Sequence, residues 1–209
     1  ARTTAQEVAF PALPAELDAF RDWWLAEPKL DAGRTSDRVP PRGEAGAEVM
    51  IVVPEPERED SDRLLSGPQG RLLDAMLGAM GIAPERAYFA SALARHTPMA
   101  DWPALAASGH GAVLRRHVAL VAPRLLIAFG SNVLPLLGHD LPKSGQFFTE
   151  INLEGCQVPL WTAADLGAML ARPRRRPGFG SNSSTSGWPR GTGFRLGLAR
   201  NCTTPDRMG

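Results

Sequence analysis

Ser66-Gly-Pro-Gln-Gly-Arg-Leu-Leu-Asp-Ala-Met-Leu-Gly-Ala-Met-Gly81 turns a loop into a helix. Gly67, Pro68 and Gly70 supply the turn, and Leu72, Leu73, Met76, Leu77 and Met80 recur at helical spacing. Just upstream, Val49-Met-Ile-Val-Val53 is an apolar run of strand length, and Pro54-Glu-Pro-Glu-Arg-Glu-Asp60 fills the gap. A buried strand, an acidic loop and a glycine-opened helix are the parts of a ligand-binding mouth in an α/β sheet.

The same alternation continues on both sides of this stretch. Leu13–Leu25 predicts an amphipathic helix with Leu17, Phe20, Trp24 and Leu25 on its apolar face, and Asp31–Gly46 reads as a Gly/Pro/Arg-rich linker. Strands are expected at Glu48–Val53, Arg86–Leu93 and Leu125–Phe129, with a strand pair at Phe147–Leu153 and Gln157–Trp161. Helices are expected at Pro68–Gly81, Pro103–Val121, Val133–Leu137 and Thr162–Leu170, the second weakened by Gly109 and Gly111. Repeated β-α alternation implies a mainly parallel sheet with helices on both faces. Ligands bind such sheets at the carboxyl ends of the strands, which would bring together the loops Pro54–Gly70, Ala94–Trp102, Gly130–Asn132 and Thr162–Asp165.

Composition narrows the function classes. The 209 residues suffice for one full core plus extensions. No apolar run reaches the roughly 20 residues that span a bilayer, so no membrane partner is expected. Ala1–Ala5 has no apolar h-region, so no signal peptide is expected, and the missing initiator Met fits a fragment or a processed form. Cys156 and Cys202 form no disulfide framework and no CxxC, which makes a reducing cytoplasm the default location. Net charge is +1, but residues 172–209 hold eight Arg against one Asp, a balance of +7 that leaves −6 for the rest. A strongly basic nucleic-acid-binding body is therefore not what the chain encodes. The aperiodic, arginine-bearing stretch after Arg176 reads as a disordered tail, with a shifted reading frame as the sharper alternative.

Individual motifs are weak taken singly. The Gly67–Gly70 turn is neither a Walker loop nor GxGxxG, and no GxSxG is present. His96, His110, His117 and His139 lack HxH or HExxH spacing, so no metal site is expected. Glu55, Glu57, Glu59 and Asp60 could serve as acid/base groups or simply form a solvated acidic loop. His96 follows Arg95 in a polar loop after a strand, where active-site groups gather.

Taken in order, the elements carry more. Val49–Val53, the acidic loop, Ser66–Leu77, Arg86-Ala-Tyr-Phe-Ala-Ser91, Arg95-His-Thr-Pro98, Ala122–Val133 and Trp161–Pro173 together resemble the uracil-DNA glycosylase superfamily, nearest to its bacterial family 4 type. The likeness covers roughly residues 48–173 and rests on order and spacing. It implies a three-layer α/β/α sandwich around a four-stranded, mainly parallel sheet. It divides the chain into an N-terminal helix and linker (1–46), a glycosylase-like domain (47–173) and a basic tail (174–209).

The resemblance also implies excision of a flipped base and weak binding of DNA. It points to Pro56, Leu65, Ser91, Gly130, Ser131 and Thr162 as base-binding positions, and Glu55, Asp60 and His96 are the candidates for catalysis. The departures fall on the chemistry. The family's GEAPG loop becomes Val53-Pro-Glu-Pro-Glu57, keeping only its proline. Its stacking Phe falls near Leu64-Leu65, its base-reading Asn becomes Ser91, and its His-Pro becomes Ala164-Asp165. Its iron–sulfur cysteines have no counterpart, His110 standing in one of their slots, so no cofactor is expected. The expectation is a superfamily protein with lost or altered base excision. The alternatives are an active glycosylase on a different or damaged base and an unrelated small-molecule-binding α/β domain. Oligomeric state is not legible in the sequence.

Overall fold

The computed structural model describes residues 10, 12–139, 147–153 and 156–171. Strands β1 (Val49–Val53), β2 (Ala87–Ser91), β3 (Leu125–Phe129), β4 (Phe148–Leu153) and β5 (Cys156–Ala163) form one sheet in the order β2-β1-β3-β5-β4. All pairings are parallel except β4 with β5. The helices are α1 (Leu17–Ala26), α2 (Pro68–Ala79), α3 (Trp102–Ala107), α4 (His110–Val121) and α5 (Leu166–Ala171).

Strands β1, β2 and β3 are buried at every position, which is why they read as continuous apolar runs and not as alternating ones. Their side chains still alternate between faces. Met50, Val52, Tyr88, Ala90, Leu126 and Ala128 pack with Leu114, Val118 and Val121 of α4 on one side. Val49, Ile51, Val53, Phe89, Ile127 and Phe129 pack with Leu73 and Leu77 of α2 and Leu166 of α5 on the other. Helices therefore cover both faces, as the β-α alternation implies.

Several boundaries differ from expectation for identifiable reasons. The sheet has five strands, not four, because Phe148–Leu153 joins β5 as an antiparallel edge. The single helix expected over Pro103–Val121 breaks at Gly109 (φ 89°), and Asp101 caps α3 through the Ala104 N–H. Val133–Leu137 is two short 3-10 turns, Ser131–Val133 and Pro135–Leu137, since Pro135 cannot supply an N–H to a continuous α-helix. Thr162 and Ala163 belong to β5, paired with Ala128 and Phe129, so the last helix starts only at Leu166.

The segment Asp31–Gly46 is more than a linker. Val39 and Arg38 are buried within it, and Arg42 forms an antiparallel bridge with Phe89. Phe20, Trp24 and Leu30 pack with Ala94 and Val113, which docks the N-terminal segment on α4. The tail 172–209 lies outside the described residues.

Candidate functional site

The parallel strands end together at Val53, Ser91, Phe129 and Ala163, and an open cleft of about 1130 Å³ lies beyond their carboxyl ends. All four loops expected there line it: Pro54–Glu59 and Pro68–Gln69 after β1, residues of the His96–Trp102 stretch after β2, Gly130–Asn132 after β3 and Thr162–Asp165 at the end of β5. Gly130 lets these loops meet. Its φ is 82°, and a Cβ there would come within 2.9 Å of Pro54 Cγ.

Glu55 and His96 face each other in this cleft, with His96 Nδ1 3.4 Å from Glu55 Oε2. The same Nδ1 lies 3.1 Å from the Pro56 carbonyl oxygen. A carbonyl only accepts, so Nδ1 carries the proton and Nε2 is left without a hydrogen bond among the described residues. Glu55 Oε2 also accepts the Thr97 backbone N–H, tying the loop after β1 to the loop after β2. An imidazole held by a backbone carbonyl, with a carboxylate beside it and its distal nitrogen open, is a general acid/base arrangement.

The other acidic residues of the loop do different work. Glu57 is only 5% exposed, and its carboxylate accepts the backbone N–H groups of Gly67 (3.0 Å), Gln69 (2.9 Å) and Gly70 (3.3 Å) at the amino terminus of α2. It satisfies donors that the first helical turn leaves orphaned and sits at the positive end of the helix dipole. Asp60, a catalytic candidate from sequence, spends both oxygens inside the loop. Oδ2 accepts Glu57 and Leu65 N–H, while Oδ1 accepts Ser66 N–H and its hydroxyl. Asp60 does not line the cleft.

Of the base-binding candidates, Pro56, Gly130, Ser131 and Thr162 line the cleft, whereas Leu65 and Ser91 do not. Ser91 is 2% exposed at the end of β2. Leu65 is buried with a left-handed φ of 57°, and its carbonyl oxygen would lie 1.9 Å from a Cβ on Gly70. That close approach explains the second glycine of the helix-opening turn.

Gln69, Asn132 and Asp165 line the cleft within the loops expected there, though none is among the candidate site residues named from sequence. For Asp165 the signal in the sequence is its place directly after Ala164, where the resemblance expects His-Pro. Trp102 lines the cleft as well.

The fold shifts proton affinity elsewhere. Burial lowers His117 to about 3 and lowers His110, while it raises the Tyr88 phenol. Desolvation also lowers Arg42, whose guanidinium lies 3.6 Å over the Phe89 ring. None of these groups lines the cleft.

Among the described residues, no cluster of three or more His, Cys, Asp or Glu is arranged to hold a metal ion, and no helix is long and apolar enough to cross a membrane. A family model described as the uracil DNA glycosylase superfamily matches residues 40–171, from the bridge strand through α5. No curated protein sequence matches the chain.

Proposed function

Since the chain belongs to the uracil DNA glycosylase superfamily, we propose that it is a base-binding member, of the family 4 type, that has lost or altered uracil excision and binds DNA weakly. The unrelated small-molecule-binding domain falls away with that membership. One observation supports the proposal: the expected loops line a cleft, but the positions that the resemblance assigns to uracil chemistry carry other residues. Ser91 stands where the resemblance expects a base-reading Asn, and it is buried away from the cleft. Ala164 stands where it expects a histidine. Removing such positioned groups typically costs orders of magnitude in rate for each.

A second reading, excision of a different base, has its own support in the Glu55–His96 pair. In that reaction His96 Nε2 would take a proton from water as the water oxygen bonds C1′. The C1′–N bond would break with its electron pair leaving on the base, and His96 would return the proton to the departing base. The net result is hydrolysis of the glycosidic bond.

Uracil-containing single- and double-stranded oligonucleotides in a strand-cleavage gel test the proposal. We expect binding that weakens with salt and no cleavage at an enzyme-like rate. Enzyme-like cleavage that disappears in Glu55→Ala or Ser91→Ala would overturn it.

A further inference from the structure

Two polar side chains in the cleft wall are not engaged by the Glu55–His96 pair: Gln69 in the first turn of α2 and Asp165 just before α5. The main chain of Gln69 is held by the Glu57 carboxylate and the side chain of Asp165 by a backbone N–H. The Gln69 N–H donates to Glu57 Oε1 at 2.9 Å, and its side-chain amide takes no hydrogen bond among the described residues. Asp165 Oδ1 accepts the Ala168 N–H at 2.9 Å, which leaves Oδ2 without a hydrogen bond among the described residues.

The two side chains converge over Gly167. A Cβ at that position would lie 3.1 Å from Asp165 Oδ1 and 3.6 Å from Gln69 Nε2. On its other side, Asp165 Oδ2 lies 3.8 Å from the point a Cβ on Gly130 would occupy. A carboxamide and a carboxylate oxygen without hydrogen bonds among the described residues thus line the same wall of the cleft, Gly167 lying between the two side chains and Gly130 next to Asp165 Oδ2.

Resting on the base-binding reading above, we propose that Gln69 and Asp165 read the edge of the bound base. They select an exocyclic amino group beside an unprotonated ring nitrogen, as in cytosine or adenine, over uracil. A carboxamide offers one donor and one acceptor, which match a ring nitrogen and one amino N–H. The second amino N–H is left for Asp165 Oδ2, a pure acceptor. Uracil reverses the pattern, with a carbonyl oxygen beside a ring N–H. Gln69 can turn its amide over to suit uracil, but a carboxylate cannot donate. Asp165 would then face the uracil carbonyl oxygen with no proton between them. The discriminating residue is therefore Asp165, and Gln69 strengthens binding of either base.

Titration of the whole chain with 2′-deoxycytidine, 2′-deoxyadenosine and 2′-deoxyuridine, followed by NMR shifts of cleft amides, tests this. The amino-bearing nucleosides should bind about tenfold or more tightly than deoxyuridine, since a site built for one hydrogen-bond pattern rejects its inverse. Asp165→Asn should bring that ratio close to one, because an Asn amide can donate to the uracil carbonyl. Asn is also as good a helix cap as Asp, so α5 keeps its start. Gln69→Ala should weaken all three. Equal binding of deoxyuridine and deoxycytidine to the wild type, or a preference unchanged in Asp165→Asn, overturns the reader and leaves the base-binding reading standing. If none of the three nucleosides moves a cleft resonance, the base-binding reading itself fails and takes this inference with it.

Discussion

At position 57 the chain carries a buried carboxylate where the resembled GEAPG loop ends in glycine. Glycine would leave the first turn of α2 with bare N–H donors facing the loop. Glu57 fills that position with three backbone hydrogen bonds and so makes the loop after β1 and the start of α2 one unit. Hydrogen bonds to a charged group contribute about 1.5–3 kcal/mol, and loss of a helix cap costs up to about 2 kcal/mol. Glu57→Ala should therefore destabilise the protein by about 2–3 kcal/mol in urea unfolding, with Glu57→Gln recovering part of the loss. A change below about 0.5 kcal/mol in the Ala variant would mean that the donors find other partners without cost. Sequence could not separate Glu57 and Asp60 from Glu55. All three are carboxylates in one loop, and most of the N–H groups that claim Glu57 and Asp60 lie further along the chain, between Leu65 and Gly70, in a turn that only the fold brings back.

Elements were legible where their signal is local. The strands β1, β2 and β3 and the helix α2 appear close to their expected places, because continuous apolar runs and helical spacing are written into consecutive residues. The segment between α1 and β1 was not legible, because its Gly, Pro and Arg content is that of a linker. Its order comes from Arg38, whose side chain is 0% exposed. That guanidinium donates to the carbonyls of Trp24 (3.1 Å), Leu25 (3.2 Å) and Glu27 (2.8 Å), the orphaned acceptors at the carboxyl end of α1. A cation there also complements the helix dipole. Arg38→Ala should destabilise by about 2–3 kcal/mol and speed amide exchange in α1 well before the sheet opens. Uniform exchange changes across α1 and the sheet would show instead that α1 opens only with the whole domain.

Across the whole molecule, the cleft was legible and its chemistry was not. Strand polarity alone gathers the four loops at one edge, but which side chains are claimed by helix starts is decided by packing. The same packing gives the molecule a pH dependence. His117 lies where α1, β2 and α4 meet, its ring centroid 4.5 Å from that of Phe20 and its Nε2 2.8 Å from the Tyr88 hydroxyl. It is buried, with no partner on Nδ1 among the described residues and with Arg21 nearby adding repulsion, so its pKa falls to about 3, and burial lowers His110 as well. The unfolded chain takes up a proton at His117 below about pH 6.5, whereas in the folded chain His117 does so only near pH 3; the lowered His110 acts in the same direction. Below pH 6.5 the unfolded state therefore binds more protons, and stability falls as pH falls. His117 alone should remove about 1.4 kcal/mol per pH unit in this window, or about 2 kcal/mol between pH 7 and pH 5. Urea midpoints measured from pH 7.5 to pH 4.5 should decline for the wild type, and the decline should be shallower in His117→Gln by that amount. Parallel pH profiles for the two proteins would mean that His117 is protonated at similar pH folded and unfolded, and that the contact between α1 and the sheet is wetter than its packing implies.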